Sequence, residues 1–550
     1  MTRRILKVGE PRGGGDRKPY ASLDLDWRLL LPAPSGDKYE RLLVLGVDGA
    51  TDEELEAAGI AREVVFRPDG RRADVVACLR GAGLSLGQAW EHVGSGGALY
   101  YESQVARAVR GSTSPARLST WLRARDLTPT GLYWVHPSFS GPRTYFPLDV
   151  PGALRWYFQN LHGSTARFGA VDRGLDLASR LNPRVLGRFA PRLAVAASGS
   201  RKDFSPLPFP PDELPSWLRT PDVRPLLLVH GTESTHAVML PFNSASEEPL
   251  AVLKVGRGRD GAAARGQAIL SAVRAGVDGA TRATIPEPLG VLRSGGVTAS
   301  VESFLPGQWL RARLARSRLR REEAIEDLDL AVDWIAELHD RFPIRARAWS
   351  DEDVRDIAER PADEFVQMLG TSTAESELLA ELRRRAHELV GTPLPLVWQH
   401  GDFSSLNVLR SGRRIHVIDW EMASQGLPLD DVLHFVRLWL YLARKADRPA
   451  TFLAFSDLFL RPHHHEPFVD AARAAIARYL ERLALDPRLL PVLLVAGCVR
   501  RAVGRAEGRR RLRGQPEDPR ERNRYVTYLD LIAERGPESF WGADAWRATP

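Results

Sequence analysis

The sequence predicts two units of different class: an α/β unit over residues 1–150, and an α+β unit from residue 221 onward in two lobes, 221–305 and 306–550. Three observations carry this division. Short strands and helices alternate before residue 150, prolines crowd between Pro206 and Pro225, and the pattern beyond residue 305 turns helical.

In the first unit, Leu42–Leu45, Glu63–Phe66, Asp74–Leu79 and Ala98–Tyr101 read as strands, with helices over Thr51–Ala58 and Leu84–Val93. Such alternation predicts a parallel sheet with helices on its faces. Leu154–Arg192 reads as helical and aromatic-rich, and residues 151–220 as a helical segment ending in a linker. Proline lacks an amide hydrogen and fixes its backbone, so Pro206–Pro225 marks the expected domain boundary. Pro225–Leu240, Leu250–Val255 and Thr298–Phe304 then read as strands, and Ala262–Ala275 as a helix. Ile325, Leu328, Val332, Ile335 and Leu338 recur at helical spacing and define one apolar face.

Composition narrows the class. Of 550 residues, 44% are hydrophobic and 26% charged, as in a soluble globular chain. The formal charge of +7 is too small for this length to indicate nucleic-acid binding. Cys78 and Cys498 provide no disulfide framework. Met1–Tyr20 has no apolar stretch of the secretory kind, and the run Leu489–Val499 is too short to span a bilayer. A cytoplasmic protein without membrane attachment is expected. Only six lysines stand among the 76 basic residues, so a lysine inside a motif is informative.

One such lysine is Lys254, on the strand Ala251–Val255. Two further motifs follow in order. Val397-Trp398-Gln399-His400-Gly401-Asp402 brings a strand into a loop that presents Asp402, with Asn407 five residues later. Ile415-His416-Val417-Ile418-Asp419-Trp420-Glu421 is a strand delivering a carboxylate, joined to the first motif by a Ser411-Gly412 turn. Phosphoryl transfer needs a cation on the phosphates, hard oxygen ligands for a divalent metal, and a carboxylate for the acceptor hydroxyl. Lys254, Asn407, Asp419 and Asp402 supply that inventory.

In combination these motifs resemble those of the aminoglycoside phosphotransferase and choline kinase family, which has a bilobal protein-kinase-like fold. The resemblance implies ATP and Mg²⁺ as cofactors, with Asp402 catalytic, Asn407 and Asp419 as metal ligands, and Lys254 on the phosphates. Glu302-Ser303-Phe304 resembles the family's hinge near adenine, which makes Glu302 and Phe304 cofactor-binding candidates. Asp431 resembles a structural carboxylate. Glu421 and Trp420 are candidates to face the substrate.

Two features depart from the family pattern. A helix glutamate that would pair with Lys254 is replaced by Gln267, a neutral amide that could still hydrogen-bond it. The phosphate loop His230–Thr235 has a single glycine, Gly231, with Ser234 beside it as the other candidate contact.

Other signals are read as structural. Gly256–Gly261 matches a dinucleotide fingerprint without a βαβ unit after it. His463–His465 reads as a solvated loop, and the arginines from Arg500 to Arg513 as a solvated helix face. Residues 73–102 resemble the later strands of a Rossmann-like methyltransferase, which implies a degenerate Rossmann-like α/β domain with a binding or scaffold role.

The expected activity is transfer of the ATP γ-phosphate to a hydroxyl of a small metabolite such as a sugar, amino alcohol or glycoside. The alternative is a pseudokinase, a nucleotide-binding or scaffold module in a biosynthetic pathway, favoured by the missing helix glutamate.

Overall fold

The computed structural model describes residues 26–34, 36, 38–46, 60–79, 82–104, 115–125, 127–139, 143–161, 190–199, 205, 207–229, 236–256, 261–294, 297–316, 319–445, 450–513, 518–534 and 540–541. Thr51–Ala58 and the phosphate loop with Gly231 and Ser234 lie outside these residues.

Twelve strands form one sheet. They are β1 (Tyr39–Leu45), β2 (Ala61–Val65), β3 (Ala73–Cys78), β4 (Val93–Gln104), β5 (Thr128–His136) and β6 (Arg143–Pro147). The others are β7 (Arg192–Ser198), β8 (Arg224–Val229), β9 (His236–Phe242), β10 (Val252–Gly256), β11 (Pro288–Ser294) and β12 (Val297–Glu302). Their order is β11-β12-β10-β9-β8-β6-β5-β7-β4-β3-β1-β2. β2, β1, β3 and β4 run parallel, as the strand–helix alternation predicts. From β4 to β11 every pairing is antiparallel, so the sheet is mixed rather than parallel.

The sheet is buried on both faces, which is why its strands read as continuous apolar runs. Leu42, Val44, Val75, Ala77 and Tyr100 point into one core, while Leu43, Leu45, Val76, Cys78 and Leu99 point into the other. Helix α1 (Leu86–Glu91) covers the second face and is capped by Ser85 and Gln88.

Three sequence expectations are corrected here. The proline-dense stretch does not separate two bodies, because β6 pairs with β8 across it, with Arg143 opposite Val229 and Tyr145 opposite Leu227. Leu207, Phe209, Leu214 and Leu218 anchor the stretch in the same core as the sheet. Prolines cannot donate to the ladder, but the apolar residues between them still pack. The segment Leu154–Arg192 does not end as a helix: its start lies in α2 (Pro151–Asn160), residues 162–189 lie outside the described residues, and Arg192 opens strand β7. Pro225–Leu240 is not one strand but the two antiparallel strands β8 and β9.

Beyond β12 the chain is mainly helical around one large core. Helix α3 (Ala262–Ala275) matches its predicted bounds. In α4 (Arg321–Arg341), Leu328, Val332, Ile335 and Leu338 are buried, as their spacing predicts. Further helices are α5 (Asp430–Ala443), α6 (Pro467–Arg482), α7 (Leu489–Arg513) and α8 (Arg524–Glu534). Short strands frame the loops between them: β13 (Gln308–Trp309), β14 (Val397–Gln399), β15 (Val408–Ser411), β16 (Arg414–Val417) and β17 (Ser424–Gly426). β15 and β16 form the predicted hairpin, with Gly412 at positive φ in its turn. Among the described residues no helix is long and apolar enough to cross a membrane.

Candidate active site

Lys254 sits on β10 opposite Ser300, and Glu302 lies two residues further along the partner strand, so both side chains leave the same face of the sheet. Lys254 Nζ is 2.9 Å from Glu302 Oε1 and 2.9 Å from Asp419 Oδ1. Burial opposes the ammonium charge, but Glu302 and Asp419 more than reverse this, and the Lys254 pKa is raised. Gln267 does not take part. Its amide donates to the Val301 carbonyl at 3.1 Å and accepts from the Gly290 amide at 3.1 Å, locking α3 to the sheet. The expected Gln267–Lys254 bond is therefore replaced by the Glu302 ion pair. Glu302 turns its side chain to the lysine.

The loop after β14 is held from several directions. His400 is fully buried; its Nε2 meets the Ile418 carbonyl at 2.8 Å, and its Nδ1 accepts from the Asp402 amide at 3.3 Å. Asp431, at the start of α5, accepts the backbone amides of His400 at 2.6 Å and Gly401 at 3.0 Å. This is the structural role expected for Asp431. Behind it the Leu429 amide donates to the Tyr479 hydroxyl, which lies 2.6 Å from His339 Nδ1, and His339 Nε2 meets the Trp398 carbonyl at 2.9 Å. Gly401 has φ +83, and a Cβ there would lie 2.6 Å from the Met422 carbonyl oxygen, so the turn that presents Asp402 requires glycine.

Asp402 leaves about half its side chain exposed (52%). Asn407 Nδ2 donates to its Oδ2 at 3.0 Å, and His434 Nε2 lies 3.5 Å from its Oδ1. Burial tends to raise the Asp402 pKa, but His434, His400 and Asn407 lower it further than burial raises it. His434 is itself pushed down to about 3, first by burial, so a neutral imidazole faces an ionised carboxylate. His434 was not legible as a site residue, although it stands one helical turn after Asp431 on α5.

Asp419 follows β16 in a left-handed conformation, φ 70, which is unusual for a residue with a side chain. Burial raises its pKa, while Lys254 lowers it further, leaving a net decrease. Its carboxylate gathers with His236 and Glu421, whose ligand atoms all lie within 4.8 Å of one another. Glu421 is raised by burial and by the neighbouring carboxylates of Asp419, Glu302 and Asp402. A surplus of negative charge thus faces one lysine, and the oxygen donors Asp419, Glu421 and Asn407 suit a hard divalent cation. The residues present fit Mg²⁺.

Two candidate side chains pack against other rings. Trp420 is 1% exposed, donates to the Val417 carbonyl at 2.9 Å and packs on His400, so it supports the loop from inside and cannot face substrate. The Phe304 ring packs against Trp156 of α2, with centroids 5.9 Å apart, and Trp156 also meets Trp309. The N-terminal part thereby braces the segment joining the two lobes.

Residues 251–466 match the model of the phosphotransferase enzyme family. Among solved structures similar to the chain is a thermostable mutant of aminoglycoside phosphotransferase APH(4)-Ia in ternary complex with ADP and hygromycin B. It is 20% identical, with 57% of this chain and 95% of that chain covered and a TM-score of 0.36. Choline kinase from Cryptosporidium parvum is 12% identical, with 60% and 96% covered and a TM-score of 0.36. An amicoumacin kinase in complex with AMP-PNP, Ca²⁺ and Ami is 13% identical, with 59% and 91% covered and a TM-score of 0.35. No curated protein matches the chain. Lys254, Glu302 and Asp419 meet where the sheet faces the helical lobe, Asp402 and Asn407 pair beside them, and Glu421 feels the charge of both Asp419 and Asp402.

Proposed function

We propose that the phosphotransferase domain transfers the γ-phosphoryl group of ATP to a hydroxyl of a small molecule, with Mg²⁺ as its metal. The observation that carries this reading is the pairing of an ionised, half-exposed Asp402 with a Lys254–Asp419 ion pair in the same cleft.

Each residue has a task that its geometry supports. Lys254, fixed by Glu302, places a permanent positive charge for the phosphates. Asp419 and Asn407 would hold Mg²⁺, with Glu421 and His236 at its edge. When bound, the ion would neutralise phosphate charge as a Lewis acid. Asp402 orients the acceptor hydroxyl and takes its proton as the hydroxyl oxygen bonds to the γ-phosphorus and the bond from that phosphorus to the β-bridging oxygen breaks. Neutral His434 and Asn407 fix the two carboxylate oxygens for that contact. The scaffold alternative drew on the absence of a helix partner for Lys254, and Glu302 now fills that place.

The test is ATP turnover with a panel of hydroxyl acceptors, comparing wild type with Asp402→Asn. Acceptor-dependent ADP release in wild type and its loss in the variant support the reading. Equal release from both proteins contradicts it.

A further inference from the structure

Beside the Asp402 loop lies a cavity of about 440 Å³, with Gln399 and Gly401 on one wall and Asp430 and Asp431 on the next. Its far wall is the α7 face carrying Gly497, Arg500, Arg501 and Gly504, a spacing that puts all four on one side of the helix. Tyr525 of α8 closes it. This wall lies beyond residues 251–466, the part that matches the family model. It also corrects the reading of the arginine run, since Arg500 and Arg501 face a cavity and not only solvent.

The charges around the cavity are unbalanced. Asp431 is spent on the amides of His400 and Gly401, and Asp430 accepts from Arg500 at 2.7 Å. Three further guanidinium groups converge on an aromatic wall, and of these Arg501 also feels Asp430 and Asp431. Arg437 is buried, donates to the Tyr528 hydroxyl at 2.7 Å and lies 5.9 Å from the Tyr525 ring centre. Arg524 donates to the Tyr525 hydroxyl at 3.2 Å, and Arg501 hydrogen-bonds the same phenol. The field is visible in Tyr525 itself. Burial raises it, as it raises Tyr479 and Tyr528, yet Arg437, Arg524 and Arg501 bring it below the ordinary tyrosine value.

The geometry points to an anionic acceptor: a hydroxyl compound carrying a carboxylate or phosphate, whose oxyanion is held by Arg500 and Arg501 while its hydroxyl reaches Asp402. This rests on the phosphotransferase reading and adds the substrate's charge to it. Gly401 lines the cavity and immediately precedes Asp402, and the charge of Arg501 reaches His434, which lies 3.5 Å from the Asp402 carboxylate. A guanidinium fork suits carboxylate and phosphate oxygens, and its charge is not lost by deprotonation. A cationic amino sugar would meet the arginine wall with like charge.

Calorimetric titration of the full chain at fixed ionic strength tests this with four sugars of one ring type: glucuronate, glucose 6-phosphate, glucose and glucosamine. Glucuronate or glucose 6-phosphate is expected to bind about tenfold or more tighter than glucosamine, the scale of one charge-assisted hydrogen bond. Whichever anion is preferred separates carboxylate from phosphate recognition. Arg501→Gln should remove the preference and Arg501→Lys retain it, with stabilisation by MgATP unchanged in both. Glucosamine binding as tightly as either anion, binding of neither anion, or a preference that survives Arg501→Gln overturns the inference. MgATP stabilisation of wild type, measured in parallel, belongs to the phosphotransferase reading alone, and its absence strikes that reading and not the cavity.

Discussion

Lys254 and Glu302 form an ion pair at 2.9 Å across neighbouring strands of one sheet, with both residues less than a tenth exposed. This carboxylate partner of Lys254 thus comes from β12 and not from α3. Removing one member of a buried pair typically costs about 3–5 kcal/mol. Glu302→Ala should lower unfolding stability on that scale and raise the KM for ATP more than it lowers kcat. Gln267→Ala loses two hydrogen bonds to backbone groups, so it should cost about 1–3 kcal/mol with little change in KM for ATP. Denaturant melts and ATP saturation curves on both variants check this, and the reverse ranking in KM would count against the Glu302 assignment.

His434 should matter through Asp402. His434→Ala removes the imidazole 3.5 Å from Asp402 Oδ1, and a positioning contribution of this kind is expected to appear in kcat with the KM for ATP unchanged. Asp402→Asn should abolish turnover while MgATP still stabilises the protein. A His434→Ala enzyme with wild-type kcat would remove His434 from the site.

The loop after β14 and the hairpin that follows it were legible because strand, turn and glycine signals are local. His400 and Asn407 both contact Asp402, and Asp419 meets Lys254. The apolar face of α4 was legible for a similar reason, since local periodicity decides it. What failed depended on contacts distant in sequence. Trp420 sits in a motif beside functional residues, but packing against His400 buries it. Glu302 reaches Lys254 only through strand register, and the β6–β8 pairing that joins the two parts of the sheet leaves no periodic trace in either strand.

Gly401→Ala is expected to destabilise and inactivate together. The added Cβ meets the Met422 carbonyl oxygen at 2.6 Å, and φ +83 is unfavourable for alanine, a strain of about 1–3 kcal/mol. A thermal melt with an activity assay reads both effects. An alanine variant with wild-type Tm and turnover would show that the turn has another solution.

The continuous sheet predicts that residues 221–550 are not an independent folding unit. Removing the N-terminal part leaves β8 without its β6 partner and uncovers Phe304 and Trp309, which Trp156 covers. Exposed edge strands with apolar neighbours promote aggregation. The truncated chain is expected in the insoluble fraction, and Trp156→Ala in the full chain should cost about 3–5 kcal/mol. A soluble, cooperatively melting 221–550 fragment would contradict this.

Acid should weaken the helical lobe through buried neutral histidines. His339 and His416 are each pushed down to about 4, chiefly by burial. Their folded values lie below the unfolded value of about 6.5, so the unfolded state binds more protons between those limits. The stability they contribute is present above about pH 6.5 and is lost as the pH falls toward 4. Urea midpoints at pH 7 and pH 5 should therefore differ more for wild type than for His339→Gln. Equal differences would exclude His339 as a contributor.

The most direct test of the central claim is the melting temperature of the full chain with and without MgATP, for wild type and Asp419→Asn. A ligand that binds only the folded state at a hundredfold excess over its Kd adds about 2.7 kcal/mol. The Lys254–Glu302–Asp419 arrangement predicts a clear rise in wild type that requires both ATP and Mg²⁺ and is lost in Asp419→Asn. No rise in wild type, or an equal rise in the variant, would contradict a nucleotide–metal site at these residues.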